Sequence, residues 1–170
     1  MDGVPPGLPR LMATLDLDLT DLDATIRLGA ALAHHVRVGD VIALHGDLGA
    51  GKTELARAII RAAAGDGELI VPSPTFTLVE TYDTPHGAIW HFDLYRIDTP
   101  DQVWELGLEE ALADGVTLVE WPQRLGDMLP THRLDLTLHI AEGDARRATL
   151  SGGPAWVGRI EALAAEIAHG

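Results

Sequence analysis

The stretch GDLGAGKT at residues 46–53 decides the fold that this sequence predicts. It matches the pattern G-x-x-x-x-G-K-[ST] of a phosphate-binding loop (P-loop), in which backbone N–H groups surround an anion. The apolar run at residues 41–44 precedes the loop, and residues 53–64 show helical periodicity after it. Because a P-loop needs this strand–loop–helix context, the segment predicts a site for a nucleoside triphosphate.

Lys52 is the only lysine among the 12 basic Lys and Arg residues of the chain. Its ammonium is a compact charge on a slim stem, which fits inside a tight loop better than the broad guanidinium of arginine. A genome that favours arginine codons would leave the same pattern of usage. We predict that Lys52 contacts the β- and γ-phosphates, that the Thr53 hydroxyl binds Mg2+, and that the helix points its positive end at the phosphates.

The composition is typical of a soluble globular protein and restricts the class of partner. The chain lacks cysteine, which excludes a disulfide framework and a thiolate metal site. It has neither a long apolar run nor the basic-then-apolar start of a secretory signal, so we expect a cytoplasmic protein without a membrane span. The net charge of -14 disfavours direct, tight binding of nucleic acid, although the same acidity can serve solubility alone.

Periodicity divides the chain into alternating strands and helices. Strands are predicted at residues 14–19, 41–44, 77–82, 88–95, 116–120, 133–140 and 147–150, the last two as a pair. Helices are predicted at residues 22–36, 53–64, 99–113 and 156–168, the third with a capping box formed by Thr99 and Gln102. This pattern predicts an α/β fold of three layers, a central mixed sheet flanked by helices. Residues 1–12 read as a loose proline-rich leader, and residues 13–170 as a single domain.

Two carboxylates stand at the ends of predicted strands, where ligands of α/β sheets bind. Asp93 lies in the segment WHFDLYR at residues 90–96, and Glu120 ends the apolar run at residues 116–119. A P-loop site needs such a carboxylate to hold Mg2+ or its water shell. Each residue alone could equally be a polar residue of its strand.

Hydroxyls and histidines supply the remaining candidates. The turn SPTFT at residues 73–77 could bring Thr75 to the γ-phosphate or the metal, although a plain turn that enters a strand has the same composition. His91 shares a strand face with Asp93, two residues away, and is a possible metal pair. Without further clustered ligands, we do not expect a zinc site.

Four segments in this order and spacing resemble the TsaE (YjeE) family of bacterial ATPases. They are GDLGAGKT at residues 46–53, SPTFTLVE at residues 73–80, HFDLYR at residues 91–96 and LVEWP at residues 118–122. The tripeptide Gly107-Leu108-Glu109 also matches, and the resemblance covers roughly residues 14–150. In combination, these segments are far more specific than the P-loop alone.

The resemblance implies a role in making threonylcarbamoyladenosine, a modified base of tRNA. Family members bind and hydrolyse ATP with Mg2+ while associated with the TsaD–TsaB transferase pair, and they do not transfer the threonylcarbamoyl group themselves. The acidic composition agrees with this role, since tRNA would be held by the partners. No arginine finger is evident, so we expect slow turnover alone and faster turnover with partners.

The resemblance also implies the site residues. The phosphate site would consist of Gly49, Ala50, Gly51, Lys52, Thr53 and Glu54. Mg2+ would be held by Thr53, Asp93 and Glu120, and Lys52 and Thr75 would join the two carboxylates as catalytic residues. For adenine, the family implies the strand–helix junction that begins at Leu22 and a turn near Gly143.

Glu54 departs from the family, which commonly has threonine or serine at this position. The change is harmless if only the backbone N–H of residue 54 contacts phosphate. If the family's hydroxyl contacts the α-phosphate, a carboxylate here would repel the nucleotide and weaken its binding.

Two other functions use the same motifs. A small-molecule kinase on a P-loop fold would need an acceptor pocket and an arginine-bearing lid, but Arg124 is the only arginine between residues 97 and 132. A nucleotide-gated binding module would bind ATP with negligible hydrolysis.

Overall fold

The computed structural model describes residues 11–169, in which seven strands form one mixed sheet with helices on both faces. The predicted leader at residues 1–12 lies almost entirely outside the described residues. The assignment of residues 13–170 to one domain stays a prediction.

The strands join in an order that differs from their order along the chain. They are β1 (Ala13–Leu19), β2 (Val41–His45), β3 (Val79–Thr84), β4 (Gly87–Asp93), β5 (Gly115–Glu120), β6 (Leu134–Ile140) and β7 (Arg146–Gly152). Across the sheet the order is β1-β7-β6-β2-β5-β4-β3. Strand β2 runs parallel to β5 and β6, and β4 runs parallel to β5. The carboxyl ends of β2, β4 and β5 therefore share one edge, which is where ligands of α/β sheets bind.

The described part of the chain also contains five α-helices and one short 3-10 helix. They are α1 (Leu22–Ala33), α2 (Lys52–Ala64), α3 (Asp101–Glu105), α4 (Leu108–Asp114), α5 (Pro154–His169) and the 3-10 helix (Pro122–Met128). Within residues 11–169, no helix combines the length and the apolar character needed to cross a membrane.

Two hydrophobic cores lie on opposite faces of the sheet. Helices α1, α2 and α5 cover one face, where Ile42 and Leu118 are fully buried. Helices α3 and α4 cover the other face, where the neighbouring strand residues Val41 and Val119 point. Successive residues of each central strand are buried in one core or the other. Both sets are therefore apolar, and these strands are continuous apolar runs in the sequence. The predicted α/β fold with a central mixed sheet flanked by helices is confirmed.

The prediction of one continuous helix at residues 99–113 is wrong, because the segment forms two helices, α3 and α4. Gly107 between them has a φ of 100°, in the left-handed region that favours glycine. A Cβ at this position would also lie 2.9 Å from the ring of Trp90. Half of the predicted capping box forms, since the Gln102 side chain accepts the backbone N–H of Thr99 at 3.2 Å.

The strand predicted at residues 77–82 starts two residues later, at Val79. Leu78 has a φ of 71°, and its backbone N–H donates to the carbonyl of Pro74 at 2.7 Å. Residues 74–77 therefore form a turn before the strand, while the carbonyl of Leu78 already accepts the backbone N–H of Asp93 on β4 at 3.0 Å. The predicted pairing of residues 133–140 with 147–150 forms between β6 and β7, and β7 also pairs antiparallel with β1.

Candidate functional site

The P-loop leaves the end of β2 and enters α2 at the sheet edge described above. Gly46, its first residue, has a φ of 144°. A Cβ on this residue would lie 2.6 Å from the carbonyl oxygen of Leu138 on β6. Because glycine alone fits this close approach, the loop starts its turn directly against the neighbouring strand.

Lys52, the first residue of α2, turns its ammonium back over the loop. The side-chain nitrogen donates to the carbonyl of Gly46 and, at 3.1 Å, to the carbonyl of Asp47. It also lies 4.0 Å from the centre of the Trp121 ring, a cation–π contact. Lys52 is only 5% exposed, so carbonyls of the loop and an aromatic face take the place of water around its charge.

Burial and charge act on the pKa of Lys52 in opposite directions. The pKa lies below its ordinary value because burial disfavours the ammonium. The nearby carboxylates of Glu120, Asp93 and Asp47 act against this shift. A polyphosphate in the loop would add negative charge and favour the ammonium further.

Glu120 ends β5 and links three elements through its carboxylate. The Thr53 hydroxyl at the start of α2 donates to both carboxylate oxygens, at 2.8 and 3.0 Å. The Nε2 of His91 on β4 donates to one of them at 2.7 Å. Glu120 is 2% exposed and His91 is 0% exposed. The structure therefore pairs His91 with Glu120, whereas the sequence pointed to Asp93 as its metal-binding partner.

Asp93 ends β4 directly beside Glu120 in the parallel register of β4 and β5. Its carboxylate accepts the backbone N–H of Tyr95 at 3.1 Å. The pKa of Asp93 is raised, mainly because burial disfavours the charged form, and the negative charge of Glu120 raises it further. The Tyr95 hydrogen bond, His91 and a hydrogen bond from Thr75 act to lower it.

Thr75 reaches the same edge from the turn before β3. Its hydroxyl lies 3.4 Å from the Asp93 carboxylate and 2.8 Å from the Ser73 hydroxyl. Phe76, the next residue, is 82% exposed, and the guanidinium of Arg96 lies 4.8 Å from its ring centre.

One cavity of about 280 Å³ gathers most of the predicted residues. Its lining consists of Leu48, Gly49, Gly51, Lys52, Thr53, Glu54, Arg57, Ser73, Thr75, Asp93, Tyr95, Glu120 and Trp121. The backbone of the P-loop and the Lys52 ammonium in this lining suit a polyphosphate. The hydroxyl and carboxylate oxygens of the same lining are the hard ligands that Mg2+ prefers. Among residues 11–169, no group of three or more His, Cys, Asp or Glu side chains could hold a metal by itself, so phosphate oxygens and water would have to complete the coordination.

A second cavity of about 320 Å³ lies on the other side of the P-loop. It is lined by Leu22, Thr25, Gly49, Ala50, Gly51, Glu54, Asp144 and Arg146. The structure therefore brings Leu22 close to the P-loop, and its implied contact with adenine stays a prediction. Gly143 itself is outside the lining, although its neighbour Asp144 belongs to it.

Glu54 lies between the two cavities and has a cationic partner. Its carboxylate pairs with Arg57 at 3.2 Å, and Arg57 also donates to the carbonyl of Val71 at 2.7 Å. This partner offsets part of the repulsion that a carboxylate at this position would exert on a phosphate.

Trp121 packs against both Lys52 and Tyr95. It follows Glu120 and has a φ of 60°, which turns its ring over Lys52. Tyr95 packs against the same ring with 5.0 Å between centroids. The adjacency to Glu120 was visible in the sequence, but the contact with Lys52 depends on this backbone conformation.

Comparisons with known proteins agree with the geometry. A family model described as "Threonylcarbamoyl adenosine biosynthesis protein TsaE" matches residues 19–149. The chain belongs to the TsaE family. The predicted resemblance is thus confirmed, and this is a TsaE-family protein of threonylcarbamoyladenosine biosynthesis.

Individual relatives support the TsaE assignment over most of the chain. The protein named "tRNA threonylcarbamoyladenosine biosynthesis protein TsaE" from Rickettsia bellii is 39% identical over 133 residues, which are 78% of this chain and 92% of the relative. The protein of the same name from Bacillus subtilis is 38% identical over 149 residues, or 86% and 87% of the two chains. The crystal structure of YdiB from Bacillus subtilis superimposes with a TM-score of 0.72 at 28% identity, covering 94% of this chain and 97% of YdiB.

Proposed function

We propose that this TsaE-family protein binds ATP with Mg2+ and hydrolyses it within the machinery that makes threonylcarbamoyladenosine in tRNA. It would act on the TsaD–TsaB transferase pair and would not transfer the group itself. The observation that carries the proposal is the meeting of Lys52, Thr53, Asp93 and Glu120 in one cavity at the mouth of the P-loop. A cytoplasmic location follows from such a role.

The P-loop would hold the phosphates through its backbone amides and Lys52. The ammonium donates to the carbonyls of Gly46 and Asp47. Binding would exchange these neutral acceptors for charged phosphate oxygens, which form stronger hydrogen bonds with an ammonium. The long, flexible stem of Lys52 allows this movement without a change in the backbone.

Thr53, Asp93 and Glu120 would hold Mg2+. When bound, this ion neutralises charge on the phosphate oxygens and orients the triphosphate. The Thr53 hydroxyl would leave Glu120 to serve the metal site, while the His91 N–H keeps the Glu120 carboxylate in place. Asp93 or Glu120 would then orient the attacking water by accepting a hydrogen bond from it.

Slow hydrolysis by the isolated protein follows from the cations around the cavity. Lys52 and Arg57 are the basic residues of its lining, and the Arg57 guanidinium is committed to Glu54 and the carbonyl of Val71. An additional cation at the transferring phosphoryl group typically raises turnover by about 10³–10⁵-fold. We propose that TsaD and TsaB complete the site, and that tRNA reaches the protein only through them.

Substitution of Lys52 tests the nucleotide site. Lys52→Ala should abolish ATP binding in calorimetry while circular dichroism shows an intact fold, because the substitution removes the only lysine of the phosphate cradle. Wild-type affinity in a folded Lys52→Ala protein would refute the site.

Substitution of the carboxylates separates binding from chemistry. Asp93→Ala and Glu120→Ala should retain most of the ATP affinity and lose phosphate release, measured with TsaD and TsaB present. Retained turnover in both variants would overturn their assignment.

ATP consumption that requires an added acceptor metabolite would instead indicate a kinase. Normal ATP affinity without phosphate release, even with both partners, would indicate a nucleotide-gated binding module.

A further inference from the structure

Arg146, the first residue of β7, bonds to backbone carbonyls of two separate loops. Its Nε donates to the carbonyl of Ala50 at 3.1 Å and its Nη2 to the carbonyl of Gly49 at 3.4 Å. Its Nη1 donates to the carbonyls of Gly143 at 3.1 Å and Ala145 at 2.8 Å. One guanidinium therefore ties the centre of the P-loop to the turn between β6 and β7.

The two P-loop carbonyls belong to the peptide units that carry the amides of Ala50 and Gly51. In a trans peptide the C=O and the N–H point in opposite directions. A cation that binds the carbonyl side polarises the peptide, and the N–H on the far side becomes a stronger donor. The Ala50 amide donates to the carbonyl of Asp47 at 3.0 Å and closes the turn of the loop. The Gly51 amide comes directly before α2, at the position where a P-loop contacts phosphate.

We propose that Arg146 is a positioning residue of the P-loop. It binds the carbonyls of Gly49 and Ala50 and so fixes the two peptide units from the side opposite their N–H groups. It also adds positive charge to the loop. This inference rests on the proposed nucleotide-binding function. The planar fork of arginine is required, because a lysine ammonium cannot reach carbonyls on both loops with the same geometry.

Arg147 provides a matched control for a change of charge in the same strand. Its guanidinium pairs with Asp18 on β1 at 3.3 Å, and both side chains are largely exposed, at 63% and 77%. Such a surface pair contributes little to stability. Arg147→Gln therefore removes the same charge from the same hairpin without touching the P-loop.

The test compares Arg146→Gln with Arg147→Gln by calorimetry, using ATP and inorganic tripolyphosphate. Arg146→Gln should lower the affinity for both ligands by a similar factor of about ten. The affinities of Arg147→Gln should stay within about two-fold of those of the wild type. A loss confined to ATP would mean that Arg146 contacts the base or sugar, which overturns the positioning role, and so would wild-type affinity for both ligands. A wild-type protein that binds neither ATP nor tripolyphosphate would instead refute the proposed function itself.

Two further readouts separate positioning from simple support of the fold. Hydrogen exchange at the amides of Ala50 and Gly51 should be faster in Arg146→Gln than in Arg147→Gln, without any ligand. Arg146→Lys keeps the charge and should still bind tripolyphosphate more weakly than the wild type. Unchanged exchange at both amides, or full recovery of affinity in Arg146→Lys, would contradict the proposal. If Arg146→Gln does not fold, Arg146→Lys carries the same comparison.

Discussion

The buried carboxylate of Glu120 is shared by donors from two different elements. His91 on β4 and Thr53 on α2 both donate to it, and a buried polar group needs such hydrogen-bond partners to offset its lost contact with water. In the proposed nucleotide complex Thr53 turns to the metal site. His91 is then the side chain that continues to fix the orientation of Glu120.

At this scale, we predict that His91→Leu lowers the free energy of unfolding by about 1–3 kcal/mol, because it leaves the buried Glu120 carboxylate short of one donor. His91→Gln, which keeps an N–H donor in the chain, should lose less. Urea denaturation of the two variants measures the difference. Equal stability of His91→Leu and His91→Gln would show that the hydrogen bond to Glu120 contributes nothing.

Candidate site residues that belong to local motifs could be selected from the sequence, whereas Arg146, for which we propose a role through the fold, could not. Lys52, Asp93, Glu120 and Thr75 were recognisable because each lies in a short motif whose chemistry depends on neighbours in the chain. These residues meet in one cavity. Arg146 gave no such signal, because its partners are backbone carbonyls on two loops and an arginine pair reads as surface charge.

Among the elements, helices α1 and α2 approach each other closely at Gly29. A Cβ on Gly29 of α1 would lie 2.4 Å from the Cβ of Ala58 on α2 and 3.0 Å from its backbone carbon. Since α2 begins with Lys52, this contact sets the distance between α1 and the helix that carries the P-loop lysine. The helical periodicity of both segments was clear from the sequence, but the distance between the helices could not be predicted from periodicity alone.

We therefore expect Gly29→Ala to destabilise the protein by about 1–3 kcal/mol through overpacking, despite the better helix propensity of alanine. Gly158→Ala in α5 is the control, since a Cβ there would meet no atom within 4 Å. That control should be neutral or more stable by up to about 1 kcal/mol. Thermal unfolding of both variants would decide the matter, and a Gly29→Ala protein as stable as Gly158→Ala would rule out the close contact.

For the whole molecule, polar contacts near both ends of α5 hold this helix against the rest of the fold. Arg159 forms a largely buried ion pair with Asp40, just before β2. Near the end of α5, the Glu166 carboxylate accepts hydrogen bonds from His34 at 2.8 Å and His35 at 3.1 Å. The pKa of Glu166 is lowered, chiefly by the hydrogen bond from His34 and also by that from His35, against a smaller effect of burial.

The pH dependence of stability follows from this lowered pKa. Because the folded carboxyl group has a lower pKa than the unfolded one, its contribution is complete above the ordinary glutamate pKa and disappears as the pH falls through the folded value. We expect Glu166→Gln to cost less than about 1 kcal/mol at neutral pH, since the pair is partly exposed, and nothing at strongly acidic pH. Urea midpoints of the variant and the wild type should converge on acidification, whereas Glu110→Gln, at an exposed position of α4, should show no such trend. A constant difference at every pH would contradict the assignment.

The pairing of β1 with β7 also constrains how the chain is made. Residues 13–19 lie near the beginning of the sequence, and their partner strand, residues 146–152, lies near its end. On the ribosome, β1 emerges before β7 and must wait without this partner until the residues between them have been synthesised. During that wait the exposed carboxylates of Asp16 and Asp18 keep it from joining strands of neighbouring nascent chains, since charge on an unpaired strand opposes aggregation.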